Sequence, residues 1–343
     1  MTTTFNPRLL GVALITITML AAPFVLSGQP YLLRIVTTAV IYAIAAYGMN
    51  IILGMTGQLS LAHGAFFGVG AYIVGLLTTD HDWSFWTSFI LAIVATTVMG
   101  YVSGLIALRT QGSYFAIFTM ALGFLAFIII TRWESVTHAH SGVSGVKFPE
   151  NFGPIDFTKE TTMYFFVLVI LGLVIWATHA LLTSNAGRSL VAIRTSPDLA
   201  KSIGVNVAVS KQLAFTASAG IAGLAGGLFA SFTGFIGPDV AAIDLTFQFL
   251  LFLLIGGMGT VMGPLVGSLL VAFLFEMLQD LDTYRFIVLG PIIVLLVIFA
   301  PKGIVGYLNE FLAARRSRGR HVDGPDEPTT ATTERHDVIE KVR

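Results

Sequence analysis

The residues best suited to chemistry lie in one stretch, Asn50-Ile-Ile-Leu-Gly-Met-Thr-Gly-Gln-Leu-Ser-Leu-Ala-His-Gly-Ala-Phe-Phe-Gly-Val-Gly-Ala-Tyr72. There, hydrogen-bonding side chains interrupt an otherwise apolar run. Asn50, Gln58, Ser60, His63 and Tyr72 carry no fixed charge, so they could hold a small polar solute without trapping it. They are the candidates to line a translocation route. The alternative is architectural: Thr56 or Ser60 caps a helix, the glycines make a tight turn, and His63 is a packing histidine. Gly64 and Gly68 form a G-x-x-x-G pair that lets another helix backbone approach closely. With Gly57 they are candidates for helix packing or gating.

A second segment, Ser184–Lys211, is polar enough to be a loop yet contains a complete helix signal. Ser196 is placed as N-cap, Pro197 at the first helical position, Asp198 near the positive dipole end, and Gly204 just past the C-terminus. A helix of about two turns is marginal alone in water, since nucleation is costly below ~12–15 residues. It must rest either on its own chain or on a cytoplasmic partner that drives the protein through it.

The elements that carry these segments are membrane helices. Of 343 residues, 55% are hydrophobic and 11% charged, against roughly 25% charged in a soluble domain. Uncharged runs long enough to cross a ~30 Å hydrocarbon layer occupy Leu9–Leu26, Trp86–Leu108, Tyr114–Ile130, Met163–Leu182, Leu213–Phe235 and Phe286–Ala300. Ile35–Leu77 is too long for one span and divides at Gly54-Met-Thr-Gly57. Leu245–Leu278 is broken at Gly256-Gly257-Met-Gly259 and at Gly263-Pro264, where proline removes a backbone donor. It is either two short spans or one re-entrant element, and these residues join the packing or gating candidates.

Basic residues favour two spans, because Lys and Arg face the cytoplasm. Ten helices then place Arg8, Arg109, the Arg188–Lys211 loop and the Lys302–Arg343 cluster inside, leaving Arg34, Arg132, Lys147, Lys159 and Arg285 outside. Both termini are expected in the cytoplasm. The expected architecture is an all-α polytopic membrane protein of about ten transmembrane helices, with a permease domain over residues 1–305. Residues 306–343 are expected to be a disordered cytoplasmic tail, being polar and rich in Pro, Thr and charge. The first helix is expected to be uncleaved, because the segment after it is a poor signal-peptidase site.

Several classes of function are disfavoured. Within the proposed spans the ionisable side chains are His63, His179 and Glu276, the last two near span ends. Proton-driven carriers retain costly ionisable groups at membrane depth, so energy is expected from elsewhere. There is no G-x-x-x-x-G-K-[ST] phosphate loop, G-x-S-x-G elbow or H-E-x-x-H pair, and no cysteine. No catalytic residue, metal ligand or cofactor is expected, and a balanced net charge gives no reason to expect nucleic acid.

Taken in order, several blocks resemble a known family, the membrane permeases of bacterial ABC importers for branched-chain amino acids. They are Gly57–Tyr72, Tyr114–Gly123, Ser141-Gly-Val-Ser-Gly145 and Gly256-Gly-Met-Gly-Thr260. The likeness covers roughly residues 30–305. It implies import into the cell across the plasma (inner) membrane by alternating access, with ATP hydrolysed on other subunits. The implied partners are a second, different permease subunit, two cytoplasmic ATPase subunits and an extracytoplasmic solute-binding protein docking on outer loops that include Thr131–Thr162. It also assigns a coupling helix to Gly187–Gly204, so that Gly187, Arg188, Arg194, Ser196, Pro197, Asp198 and Gly204 would contact the ATPase. Thr195–Ala200 is less acidic than the corresponding stretch in many relatives. A permease for urea or short amides, or a stand-alone secondary carrier, is the alternative.

Overall fold

The computed structural model describes residues 7–278 except 27, 152 and 154, together with residue 291 and residues 303–308. Its helices are α1 (Pro7–Val25), α2 (Pro30–Met49), α3 (His63–Thr79), α4 (Phe85–Ala107), α5 (Ser113–Arg132), the single turn α6 (Glu134–Thr137), α7 (Glu160–Thr183), α8 (Asn185–Thr195), α9 (Pro197–Ser202), α10 (Val207–Thr233), α11 (Ile243–Gly256) and α12 (Gly263–Met277). Two short strands, β1 (Val143–Ser144) and β2 (Phe235–Ile236), pair antiparallel with Val143 opposite Ile236. One unit of the chain ends at Tyr307. The span expected over Phe286–Ala300, apart from residue 291, and the tail beyond residue 308 lie outside the described residues.

The protein is an all-α polytopic membrane protein. Among the described residues five segments are long and apolar enough to cross a membrane: α2 with the turn that follows it, α4, α5, α7 and α10. The outer helices turn bulky apolar side chains away from the bundle, among them Ile90 and Val98 of α4, Ile117 and Leu125 of α5, and Val169 and Trp176 of α7. Faces of this kind are suited to hydrocarbon rather than water, where patches so large are not tolerated.

Helix α10 forms the centre, packed on α2, α3 and α4. Lipid tails give no hydrophobic drive between helices, so membrane interfaces rely on close approach of small residues. A Cβ on Gly70 would strike the backbone of Gly223, and one on Gly226 would overlap the carbonyl of Phe67. The aromatic rings of Tyr42, Phe67, Phe229, Phe249 and Phe252 fill the space beside this crossing. Tyr164 donates to the carbonyl of Met19 at 2.7 Å, which fastens α1 to α7.

Contacts between elements sort by depth. At one end Arg34 pairs with Glu160 at 3.5 Å, His138 Nε2 lies 3.0 Å from Asp80, Lys147 meets Asp82, and the Phe85 amide donates to Glu150 at 2.7 Å. At the other end Asn50, Gly54, Arg194 and Gly259 converge. Each of these contacts joins residues that the charge distribution assigns to the same side. Lys147 holds the Asp82 carboxyl below its ordinary range, through a hydrogen bond and then through its charge. A depressed carboxyl pKa stabilises the folded loop above the ordinary Asp range, and that contribution is lost as pH falls through the lowered value. A pH titration of Asp82 by NMR is expected to show this lowered midpoint, returning toward the ordinary value in Lys147→Gln.

The segment Leu245–Leu278 resolves into two antiparallel helices of 14 and 15 residues. At 1.5 Å per residue α12 is ~22 Å long, yet its ends meet both ends of α2. Tyr47 donates to the Val261 carbonyl at 2.7 Å just before α12, and Tyr31 donates to Glu276 at 3.4 Å near its end. Thus α12 covers the same depth as α2, in the opposite direction. A shallow dip would leave one end of α2 uncovered.

Candidate coupling and translocation site

The break after α2 is longer than the glycines alone suggest. Helix α2 runs into a π-helical turn, Asn50–Met55, and residues 57–62 are non-helical before α3 begins at His63. Gly57 takes φ +74°, a left-handed conformation that favours glycine. Irregular backbone at membrane depth must have its hydrogen bonds supplied by surrounding protein. Thr119 of α5 accepts from the Leu61 amide at 3.0 Å, and Thr246 of α11 accepts from the Gly64 amide at 2.7 Å. His63 Nε2 lies 2.5 Å from the Ser218 hydroxyl of α10.

This places the candidate path residues. Asn50, Ser60, His63 and Tyr72 are enclosed within the bundle, and only Gln58 is partly exposed. Of these, Asn50 bonds to the turn before α12 and His63 to α10, while the Ser60 hydroxyl accepts from the nearby Ala62 amide at 3.5 Å. Gly64 and Gly68 pack against Ala241, Ala242 and Thr246, where a Cβ on either would intrude. The threonines and Ser218 that complete the network were not singled out from sequence, because isolated Ser and Thr in apolar helices usually bond their own preceding turn.

The two glycine-rich breaks meet each other. Asn50, in the π-helical turn, donates its amide to the Thr260 carbonyl at 3.0 Å and accepts from the Gly259 amide at 2.8 Å. A Cβ on Gly54 would lie 2.6 Å from the Gly259 nitrogen. In the second break Thr260 accepts from the Gly263 amide at 3.0 Å, with Pro264 in the first turn of α12. A Cβ on Gly256 would overlap the Gly263 carbonyl, and one on Gly263 the carbonyl of Gly257. Gly257, at φ +117°, and Gly259, at φ +77°, make the turn between these contacts.

Into this junction reaches one cation from the polar loop. Arg194 of α8 donates through Nη1 to the Gly54 carbonyl at 2.5 Å. A Cβ on Gly57 would lie 3.2 Å from Arg194 Cγ, and one on Gly259 would lie 2.9 Å from Nη1. Gly57 leaves room for the aliphatic part of the Arg194 side chain, and Gly259 for its guanidinium. A charge-assisted bond of this kind is worth ~1.5–3 kcal/mol.

The rest of the loop divides into support and surface. The Ser184 hydroxyl accepts from the Gly187 amide at 3.1 Å, and a Cβ on Gly187 would overlap the Leu181 carbonyl. Arg188 turns back to the Thr183 carbonyl at 3.0 Å. Both therefore shape the corner between α7 and α8. The Ser196 hydroxyl accepts from the Leu199 amide at 3.3 Å, Pro197 opens α9, and Asp198 lies 3.6 Å from Lys201. Gly204, at φ +87°, ends α9 in a Schellman turn in which the Val205 amide donates to the Ala200 carbonyl. Ala200 is buried with Ile193 and Val207, whereas Leu199 and Ile203 are 64% and 70% exposed. Two large apolar side chains thus project from a short, well-capped helix.

Among the described residues no group of three or more His, Asp or Glu side chains could hold a metal ion. Residues 31–300 match the family described as branched-chain amino acid transport system, permease component. The chain is 29% identical over 325 residues to the high-affinity branched-chain amino acid transport system permease protein LivM of Salmonella typhimurium, covering 88% of this chain and 76% of that protein. It is 25% identical over 292 residues to LivH of Escherichia coli, covering 79% and 93%. It is 23% identical over 281 residues to BraD of Pseudomonas aeruginosa, covering 77% and 91%. LivH and BraD carry the same description as LivM. No solved structure matches the chain.

Proposed function

Because the chain belongs to the permease-component family of branched-chain amino acid transport systems, we propose that it is a membrane subunit of an ATP-driven importer, carrying these amino acids into the cell by alternating access. It crosses the plasma membrane ten times with both termini inside, residues 1–305 form the permease domain, and residues 306–343 are a cytoplasmic tail. A second permease subunit completes the route, two ATPase subunits bind α8 and α9, and a solute-binding protein docks on the opposite face. The permease is itself no enzyme.

The observation that carries this proposal is the Arg194 contact, which ties the polar loop to both helix breaks at once. A push on α8 and α9 would move the junction between α2, α3, α11 and α12 through a single short lever. Leu199 and Ile203 supply the apolar contact for the ATPase, and Ser196, Pro197, Asp198 and Gly204 keep α9 formed beneath them. Gly187 and Arg188 set its angle.

Replacing both Leu199 and Ile203 with aspartate tests the docking part. Their exposure means that the permease itself has little to lose, since surface changes usually fall within ±0.5 kcal/mol. The expected result is a permease that is normally inserted and thermally stable, yet no longer co-purifies with its ATPase subunits. Unimpaired co-purification would place the docking surface elsewhere.

A further inference from the structure

A recess of about 400 Å³ opens between α2, α11 and α12, toward the end of the bundle opposite Arg194. That volume is toward the lower end of the ~300–1,000 Å³ of small-molecule pockets. Its chemistry changes with depth. Arg34 and Glu276 stand near its mouth, and Tyr42 and Phe252 line it deeper in the bundle, eight residues further along α2 in the case of Tyr42. The Tyr42 and Phe252 rings are stacked with centroids 6.4 Å apart. Gln248 lies between these levels on α11.

The two charges share the recess without neutralising each other. Arg34 pairs with Glu160 at 3.5 Å and lies 5.9 Å over the ring of Phe232, while Glu276 accepts from Tyr31 at 3.4 Å. Opposite charges at the mouth of an aromatic recess are matched by one chemical class, a zwitterion with an apolar side chain. Guanidinium suits a carboxylate in a forked geometry, and a carboxylate suits an ammonium group. The rings below suit a branched alkyl group.

We infer that this recess is where the permease first receives its solute, with Arg34 on the α-carboxylate, Glu276 on the α-ammonium, and the side chain toward Tyr42 and Phe252. The inference rests on the importer assignment above and adds a site to it. It also separates an apolar amino acid from urea or a short amide, which would have no use for either charge.

Thr38 of α2 also lines the recess, and the chain contains no cysteine, so Thr38→Cys places a single thiol of this subunit there. In the assembled importer in vesicles, its rate of reaction with a cationic methanethiosulfonate is measured alone and with leucine, isoamylamine, isocaproate or urea, and leucine uptake is followed in the same vesicles. Leucine is expected to slow labelling, and the other three to do so little. Half-protection should need about tenfold more leucine in Arg34→Gln and Glu276→Gln, the loss of one charge-assisted bond. Arg34→Lys should recover part of this. The analogue series requires no change at either charged residue, so it stands even where a variant fails to assemble. Uptake of leucine without protection, or equal protection by isoamylamine and urea, would overturn the recess and leave the importer assignment standing. Absence of uptake for leucine, isoleucine and valine alike would overturn the importer assignment itself.

Discussion

Replacing Arg194 with alanine is expected to lower uptake by roughly 10–100-fold while the complex still assembles and still hydrolyses ATP. The magnitude follows from one charge-assisted hydrogen bond of ~1.5–3 kcal/mol, with about 1.4 kcal/mol per factor of ten. The bond joins the α8 guanidinium to the Gly54 carbonyl, and no other cation reaches this junction among the described residues. Lysine at this position keeps the charge but presents a compact ammonium instead of a planar fork, so Arg194→Lys should fall between the two. A residue that merely held the fold would lower expression and melting temperature along with uptake. Here ATP hydrolysis and thermal stability should persist while transport fails, and a proportional loss of all three would show that Arg194 transmits nothing.

The second large effect concerns the bundle itself. Gly226→Leu should prevent accumulation of folded protein, because its first side-chain carbon would overlap the Phe67 carbonyl and lie 3.0 Å from the Ala71 nitrogen. Backbone atoms cannot swing aside as a flexible side chain can. Overpacking ordinarily costs about 1–3 kcal/mol, and a crossing that must separate α3 from α10 should reach or exceed the top of that range. Gly172→Leu is the informative contrast, since nothing lies within 4 Å of the position its Cβ would occupy. Fluorescence-detected gel filtration after heating should show a normal profile for Gly172→Leu and loss of the monodisperse peak for Gly226→Leu. Equal behaviour would mean that the α3 and α10 crossing is loosely packed.

What the sequence disclosed, and what it withheld, follows from the range of each interaction. The α4, α5, α7 and α10 spans are local facts about uncharged runs; α4, α5 and α7 lie within three residues of their expected bounds, and α10 begins six residues earlier, at Val207. Helix α9 was equally legible, because Ser196, Pro197 and Gly204 set its ends through contacts only a few residues long. Glycine and proline marked both breaks. Nothing local indicated that the breaks touch, since Asn50 and Gly259 are 209 positions apart, nor that Arg194 lies between Gly57 and Gly259.

The polar residues after Gly57 illustrate a different limit. Gln58, Ser60 and His63 are compatible in type with a solute route, but type does not reveal what lies opposite. In the structure the non-helical residues 57–62 and the first turn of α3 take partners from neighbouring helices, Leu61 from Thr119 and Gly64 from Thr246, around these side chains. The outer recess was hidden for the same reason. Arg34 and Glu276 were each visible as isolated charges near span ends, and only the pairing of α2 with α12 brings them to one cavity.

ATP-driven import through this subunit requires above all that an ATP-hydrolysing subunit act at α9. Ile203→Cys gives this cysteine-free chain a single exposed thiol at the C-terminal end of that helix, and cross-linking it within the assembled, transporting complex measures the contact directly. A cross-link to the ATPase subunit is expected, with a yield that changes when nucleotide is bound. A thiol that reacts in intact cells with a membrane-impermeant reagent, or that never joins the ATPase in an active complex, would contradict it.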